Sequence, residues 1–268
     1  MGSPRLNAEI LLMFVLNCDR AYLYAHPERN LTAVEQARYN EALAHRALGN
    51  PAQYITGHQE FWGMDLIVSP AVLIPRPETE HVIETVLGKI DTRASLLGPA
   101  PKIVDVGTGS GCIALALAKE LPEAEVHATE ISLEALEIAR ANAARHQLAH
   151  RIRIHHTDLL DGFPTGSFDF VVSNPPYVGE SEEDQVQLEV RKFEPRGAVF
   201  AGKTGLEVIS RLVPQASSVL NPRGWLVIEV SGTIAAGVAK LLSDWDEVAL
   251  IKDLQGIARV ATGRKRLQ

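Results

Sequence analysis

Two cysteines, Cys18 and Cys112, are too few to staple a chain of 268 residues, so a disulfide framework is excluded and a reducing compartment is expected. Cys112 stands where a helix should start and reads as a small packing residue. The 9 histidines are scattered, and none pairs with Cys or Glu at metal-site spacing, so no metal is expected. Basic charge is also scarce: 26 Lys and Arg face 33 Asp and Glu, a net charge of -7. Only Arg264-Lys265-Arg266 forms a compact basic cluster, which disfavours a grip on long nucleic acid through its phosphates. Aromatic residues make up 6%, few for stacking bases. The apolar run Ile10–Leu16 has the flavour of a signal-peptide core. Glu9 before it, Asp19 after it and the lack of a small-residue cleavage site argue for a buried helix. No apolar run approaches a membrane span, and a cytoplasmic protein is expected.

What is there suits a globular protein: 46% hydrophobic and 22% charged residues. From Leu6 to about Ala25, Ile10, Met13, Phe14 and Leu16 recur at helical spacing, and His26-Pro27 ends the run. Thr32 and Glu35 form a capping box for a second helix, which Gly49-Asn50-Pro51 stops. Such a unit is too short to bury a core alone. Phe61–Val68 reads as a short hairpin or extended linker. In Arg76-Pro77-Glu78-Thr79-Glu80, Pro77 suits a first helical turn and the acids complement the helix dipole, with Val82, Ile83, Val86 and Leu87 as the buried face. Arg76 and this helix start could form one wall of a site.

After a break at Leu97-Gly98-Pro99-Ala100-Pro101, strands are expected near 102–106, 125–129, 152–156, 168–173, 224–230, 246–252 and 257–262. Helices are expected near 111–120, 132–145, 205–220 and 233–243. Apolar strands alternating with amphipathic helices imply an α/β fold with a doubly wound, mostly parallel sheet, whose ligands bind at the carboxyl ends of the strands.

The motifs lie at those ends. Val104-Asp105-Val106-Gly107-Thr108-Gly109-Ser110-Gly111 is a strand turning through glycines into a helix. The spacing is G-x-G-x-G, and Cys112 occupies the third glycine place of the dinucleotide fingerprint, which disfavours a nicotinamide dehydrogenase. Glu130 closes the next strand, where an acid reads ribose hydroxyls. Asp158 ends the third strand, where it could accept from an adenine amino group. Together these describe a nucleoside site without a phosphate grip, and S-adenosyl-L-methionine is the common cofactor of that description. Asn174-Pro175-Pro176-Tyr177 follows the strand Phe168–Ser173. It offers an amide side chain, carbonyls next to prolines that donate nothing, and a ring, a combination suited to holding a planar NH2.

Nearly the whole chain resembles the glutamine-N5 methyltransferases of class I peptide-chain release factors (PrmC/HemK type). The resemblance runs through Tyr54-Ile55-Thr56-Gly57 with Glu60-Phe61-Trp62, Leu73–Glu80, Asp105–Gly111, Ser173–Tyr177, Phe193-Glu194-Pro195 and Asp253–Val260. Its most specific part is Arg76–Glu80, between a helical preface and the glycine loop. Glu130 stands where the family often has Asp, and the N-terminal unit is shorter by part of a helix than the family's is expected to be. The resemblance implies a seven-stranded Rossmann-like methyltransferase sheet and three divisions: a helical release-factor-docking domain over 1–52, a hairpin linker over 53–75 and the methyltransferase domain over 76–268. It implies cofactor contacts at Gly107, Thr108, Gly109, Ser110, Gly111, Glu130, Asp158, Leu159 and Asn174. Substrate contacts are implied at Asn174, Pro175, Pro176 and Tyr177, with Arg76 and Thr79 shaping the site. Catalysis would fall to Asn174, Pro175 and Tyr177. The expected reaction is methyl transfer from S-adenosyl-L-methionine to the glutamine of a Gly-Gly-Gln motif, leaving S-adenosyl-L-homocysteine, by a monomer. The nearest rival is a methyltransferase for an exocyclic amine of adenine or guanine, and a non-catalytic cofactor-binding module stands further off.

Overall fold

The computed structural model describes residues 3–94 and 100–267. The helical preface has one more break than its periodicity suggests. Helix α1 spans Pro4–Leu16 and α2 spans Arg20–Ala25, because Asn17 takes the left-handed conformation (φ 50°) that ends a helix and Asp19 accepts from the Tyr22 N–H at 2.7 Å to start the next. Helix α3, Ala33–Ala47, begins with both halves of the Thr32/Glu35 capping box. A short helix α4 (Ala52–Thr56), not foreseen, precedes the hairpin of β1 (His58–Phe61) and β2 (Met64–Ile67).

Pro77–Thr79 makes a 3-10 turn that leads into α5, Glu80–Ala94. Val82, Ile83 and Val86 on its inner face are completely buried, each worth about 1.5–3 kcal/mol of transfer free energy. Most of the expected break at 97–101 lies outside the described residues. Then follow β3 (Lys102–Val106), α6 (Cys112–Glu120), β4 (Glu125–Glu130), α7 (Leu133–Arg145), β5 (Ile152–His156) and β6 (Phe168–Ser173). Two short helices, α8 (Leu188–Phe193) and α9 (Arg196–Val199), occupy a stretch whose periodicity announced nothing. The chain closes with α10 (Glu207–Val219), β7 (Leu220–Glu229), α11 (Ala235–Leu241), β8 (Asp246–Lys252) and β9 (Ala258–Arg264).

The sheet is seven-stranded, in the order β5-β4-β3-β6-β7-β9-β8. Pairs from β5 to β7 are parallel, and β9 runs antiparallel to both neighbours. Alternate residues of each central strand feed opposite cores. Ile103, Phe170, Val172 and Val227 pack with α5 and α6, while Val104, Val171, Leu226 and Ile228 pack with α10 and α11. Helices therefore cover both faces, which is why these strands read as continuous apolar runs. Strand order reverses between β3 and β6, the switch point where ligands of open α/β sheets bind. Among the described residues no helix is long and apolar enough to cross a membrane.

Candidate active site

Val106 and Ser173 are register partners at the ends of β3 and β6, and the Ser173 hydroxyl donates to the Val106 carbonyl at 2.7 Å. The loops that follow, 107–111 and 174–177, therefore leave the sheet side by side at the switch point. The glycine loop is anchored from β4, since the Gly107 and Thr108 N–H groups both donate to the Thr129 carbonyl at 2.9 Å. From below, Thr108 donates its hydroxyl to Asp105 at 2.6 Å. Asp105 is fully buried, and that burial pushes its carboxyl up to about 7 against the pull of the Thr108 and Ala114 hydrogen bonds.

A cavity of about 460 Å³ opens over this loop. Gly107, Thr108, Gly109, Ser110, Glu130, Asp158, Leu159, Asn174 and Pro176 are among its walls, which brings together most of the expected cofactor contacts. Gly111 instead serves as the N-terminal cap of α6, with φ 85°. Gly107 and Gly109 have φ 69° and 55°, and a Cβ at either would meet nothing within 4 Å. That open space lies where a ligand would press on the backbone, and the left-handed φ values themselves favour glycine. Glu130 takes N–H bonds from Gly109 at 3.0 Å on one oxygen and from Ile131 and Ser132 at 2.9 and 3.0 Å on the other. Its carboxylate is thereby held rigidly, with lone pairs left for ribose hydroxyls. Asp158 reaches the cavity already ion-paired with Arg211, a second lining residue that the sequence did not announce. Leu159 holds a strained φ of 50° beside it. Burial pushes the Cys112 thiol up to about 12, which keeps this lining residue uncharged. The donor set fits S-adenosylmethionine: ribose acceptors, apolar walls, close backbone and no phosphate cradle.

A second cavity, of about 730 Å³, lies on the far side of Asn174. Arg76, Tyr177, Glu194, Glu229 and Arg259 line it together with the 185–190 stretch. Asn174 belongs to the walls of both cavities. Thr79 faces the first cavity, Arg76 the second, and Pro175 is buried behind its neighbour Pro176. Arg76 is ion-paired with the buried Glu194, whose other oxygen accepts from the Ile74 N–H at 3.2 Å. Phe193-Glu194-Pro195 and Leu73–Glu80, far apart in sequence, thus meet as one wall.

Three polar residues of the site escaped the sequence reading besides Arg211. Glu194 stands out in the sequence only as part of Phe193-Glu194-Pro195. Asn142, completely buried on α7, ties the linker to the glycine loop: it bonds the Ile67 N–H and carbonyl at 2.7 and 3.0 Å and the Ser110 carbonyl at 2.9 Å. Glu229 ends β7 as Glu130 ends β4, so the acid-at-strand-end signal applied to Glu130 could have found it.

The sheet order, the glycine loop and the acid after β4 define a class, the Rossmann-like methyltransferases that use S-adenosylmethionine. Solved structures share this fold: the hMettl16 catalytic domain in complex with an RNA hairpin (TM-score 0.60, 17% identity, 85% of this chain and 83% of that one) and a methyltransferase from Pyrococcus furiosus (TM-score 0.53, 21% identity, 88% and 100%). Family models described as "PrmC N-terminal domain" and "Methyltransferase small domain" match residues 1–57 and 86–192. The release factor glutamine methyltransferase of Koribacter versatilis (strain Ellin345) is 56% identical over 98% of this chain and 92% of its own length. That of Rhodopirellula baltica is 41% identical over 98% and 90%. The chain belongs to the release factor glutamine methyltransferase family.

Proposed function

We propose that this protein transfers a methyl group from S-adenosyl-L-methionine to the side-chain nitrogen of the glutamine in the Gly-Gly-Gln motif of class I peptide-chain release factors. The observation that carries the reading is the placement of Asn174 in the wall between two cavities, one fitted to a nucleoside and the other open to a polypeptide. Its relatives at 56% and 41% identity carry the name of that activity.

A carboxamide nitrogen is a poor nucleophile because its lone pair is delocalised into the carbonyl. Its proton is far too weakly acidic for an ordinary carboxylate to remove before transfer, so positioning does most of the work. The Asn174 Oδ1 takes one amide hydrogen of the substrate, and the Pro175 carbonyl, whose peptide bond leads to cavity-lining Pro176, takes the other. Both acceptors draw electron density toward nitrogen and stabilise the positive charge that grows there. Tyr177 packs on the amide plane, and the nitrogen proton leaves to water during or after transfer. S-adenosylmethionine, when bound, supplies an electrophilic sulfonium methyl. Holding both reactants in line is worth about 7–11 kcal/mol in favourable systems.

Residues 1–52 serve as the release-factor-docking domain, 53–75 as linker and 76–268 as the catalytic domain, since a tripeptide turn alone offers far less than the roughly 800 Å² per partner of a stable interface. The enzyme works as a monomer in the cytoplasm. Arg76 and Thr79 shape the site through Glu194 and Asn174. The test is incubation with cofactor and a purified release factor, read by mass spectrometry as one added methyl on the Gly-Gly-Gln glutamine. Transfer to RNA or DNA with none to that peptide would overturn the reading.

A further inference from the structure

One buried carboxylate in the site has no part in the mechanism above. Glu229, at the end of β7, is 3% exposed, and two hydroxyls aim at it: Thr79 donates at 2.6 Å and Tyr177 at 3.4 Å. Thr79, itself 1% exposed, lies 3.1 Å from the Asn174 side-chain nitrogen.

These contacts fix the polarity of the whole chain of hydrogen bonds. An ionised carboxylate has no proton to give, so the single hydroxyl hydrogen of Thr79 is committed to Glu229 and only lone pairs face Asn174. The Asn174 amide must then present its NH2 to Thr79, which turns its Oδ1 the other way. We propose that Glu229 and Thr79 are positioning residues that lock the Asn174 amide with its oxygen toward the substrate nitrogen. The proposal rests on the reading of Asn174 as an acceptor for the glutamine amide. With the amide reversed, two NH2 groups would meet and the substrate would lose that acceptor.

The charge on Glu229 therefore matters. Facing it are Thr79 and Glu78 from the turn before α5, Tyr177 from the loop after β6, and Arg259 from β9. Burial, the largest influence, pushes its carboxyl up to about 7, Glu78 adds to the rise, and the two hydroxyls and Arg259 oppose it. A protonated Glu229 can donate to Thr79, freeing the Thr79 hydrogen to attract the Asn174 oxygen and turn the amide over. Acid should switch the relay off through a titration near pH 7.

Side-chain amide spectra of the ¹⁵N-labelled full chain read the relay without substrate, with the Asn174 pair assigned by its loss in Asn174→Ala. In the wild type this pair should shift with a midpoint near pH 7, and in Glu229→Gln it should not. Thr79→Val should move the hydrogen-bonded resonance to the position of a free amide, and Thr79→Ser should restore it. In turnover on the release factor, folded Thr79→Val should lose about tenfold in kcat with KM nearly unchanged, Thr79→Ser should stay within about threefold, and Glu229→Gln should flatten the acid limb of the kcat profile. Asn174 resonances that ignore both pH and Thr79→Val, or wild-type kcat in folded Thr79→Val, would overturn the relay. A wild type that methylates no release factor would count against the proposed function instead, and the spectra would still decide the relay.

Discussion

At the residue scale the site turns on a few side chains whose alternatives are all worse. Asn174 holds an amide between the two cavities, and no other described residue offers one in both walls. Replacing it by alanine removes one preorganised acceptor, for which about a 100-fold loss in kcat is expected, while cofactor affinity, measured by calorimetry, survives in part. Normal turnover in that variant would sink the mechanism. Behind the motif, Gly205 (φ 79°) admits the Tyr177 backbone: a Cβ there would stand 2.3 Å from the Tyr177 carbonyl oxygen. Gly205→Ala must displace that loop or its own, so both turnover and thermal midpoint should fall, by about 2 kcal/mol or more for the stability. A melting curve superimposable on the wild type would show that the close approach is not needed. Asn174 and the glycines were legible as residue types at strand ends. Glu229 shares with Glu130 the signal of an acid closing a strand, but its role is not legible there, because it comes from the hydroxyls that fold onto it.

Elements explain which of those strand ends meet. Strands β4 and β5 pair in parallel with His127 opposite Arg153, and His155, two residues further along β5, lies with its ring 5.1 Å from that of His127, near-parallel, with a nitrogen–nitrogen contact of 3.0 Å. Burial first, then His127 and Arg153, hold His155 below its ordinary value near 6.5. A folded pKa below the unfolded one means that the unfolded chain takes the proton first, so stability is full above about pH 6.5 and drains as pH falls through it. Asp105 and Glu229 act oppositely: their carboxyls, raised to about 7, add stability as pH falls from 7 toward 4. The informative measurement is thus a difference. Between pH 7.5 and 5.5 the urea midpoint of His155→Gln should drop less than that of the wild type, and equal drops would remove His155 from the acid response. Periodicity located every strand of the large sheet to within a few residues, because strands buried on both faces are unbroken apolar runs. It missed α4, α8 and α9, helices of four to six residues, which are too short for a 3.6-residue period to register.

Across the whole molecule, a buried cation bridges the helical preface and the sheet domain. Arg46 on α3 donates to the Asn7 side chain at 2.7 Å and the Asn50 carbonyl at 3.0 Å, and forms an ion pair with Glu189 on α8 at 2.6 Å. The same α8 lines the cavity assigned to the peptide, so this clamp ties the proposed docking unit to the wall of the site. Arg46→Met keeps much of the volume but strands three acceptors, and a loss of about 2–4 kcal/mol is expected. Limited proteolysis should then release the first fifty or so residues faster than in the wild type, and unchanged cleavage would show that apolar packing alone holds the unit. By itself the sequence determined the α/β class, the strand ends that bear chemistry and the family, since these depend on local period, on glycine spacing and on short motifs read in order. The substrate class rests on the same strings, because the fold is shared with structures as different as an RNA-bound catalytic domain. Only the tertiary structure decided that Asn174 stands between two cavities, that Arg76 closes on Glu194 and that Thr79 and Glu229 stand behind the amide. Those partners lie 95 to 150 residues apart: the parallel register of β6 and β7 pairs Ser173 with Ile228 and so sets Asn174 beside Glu229, while the turn before α5 brings Arg76 and Thr79 to the same strand ends.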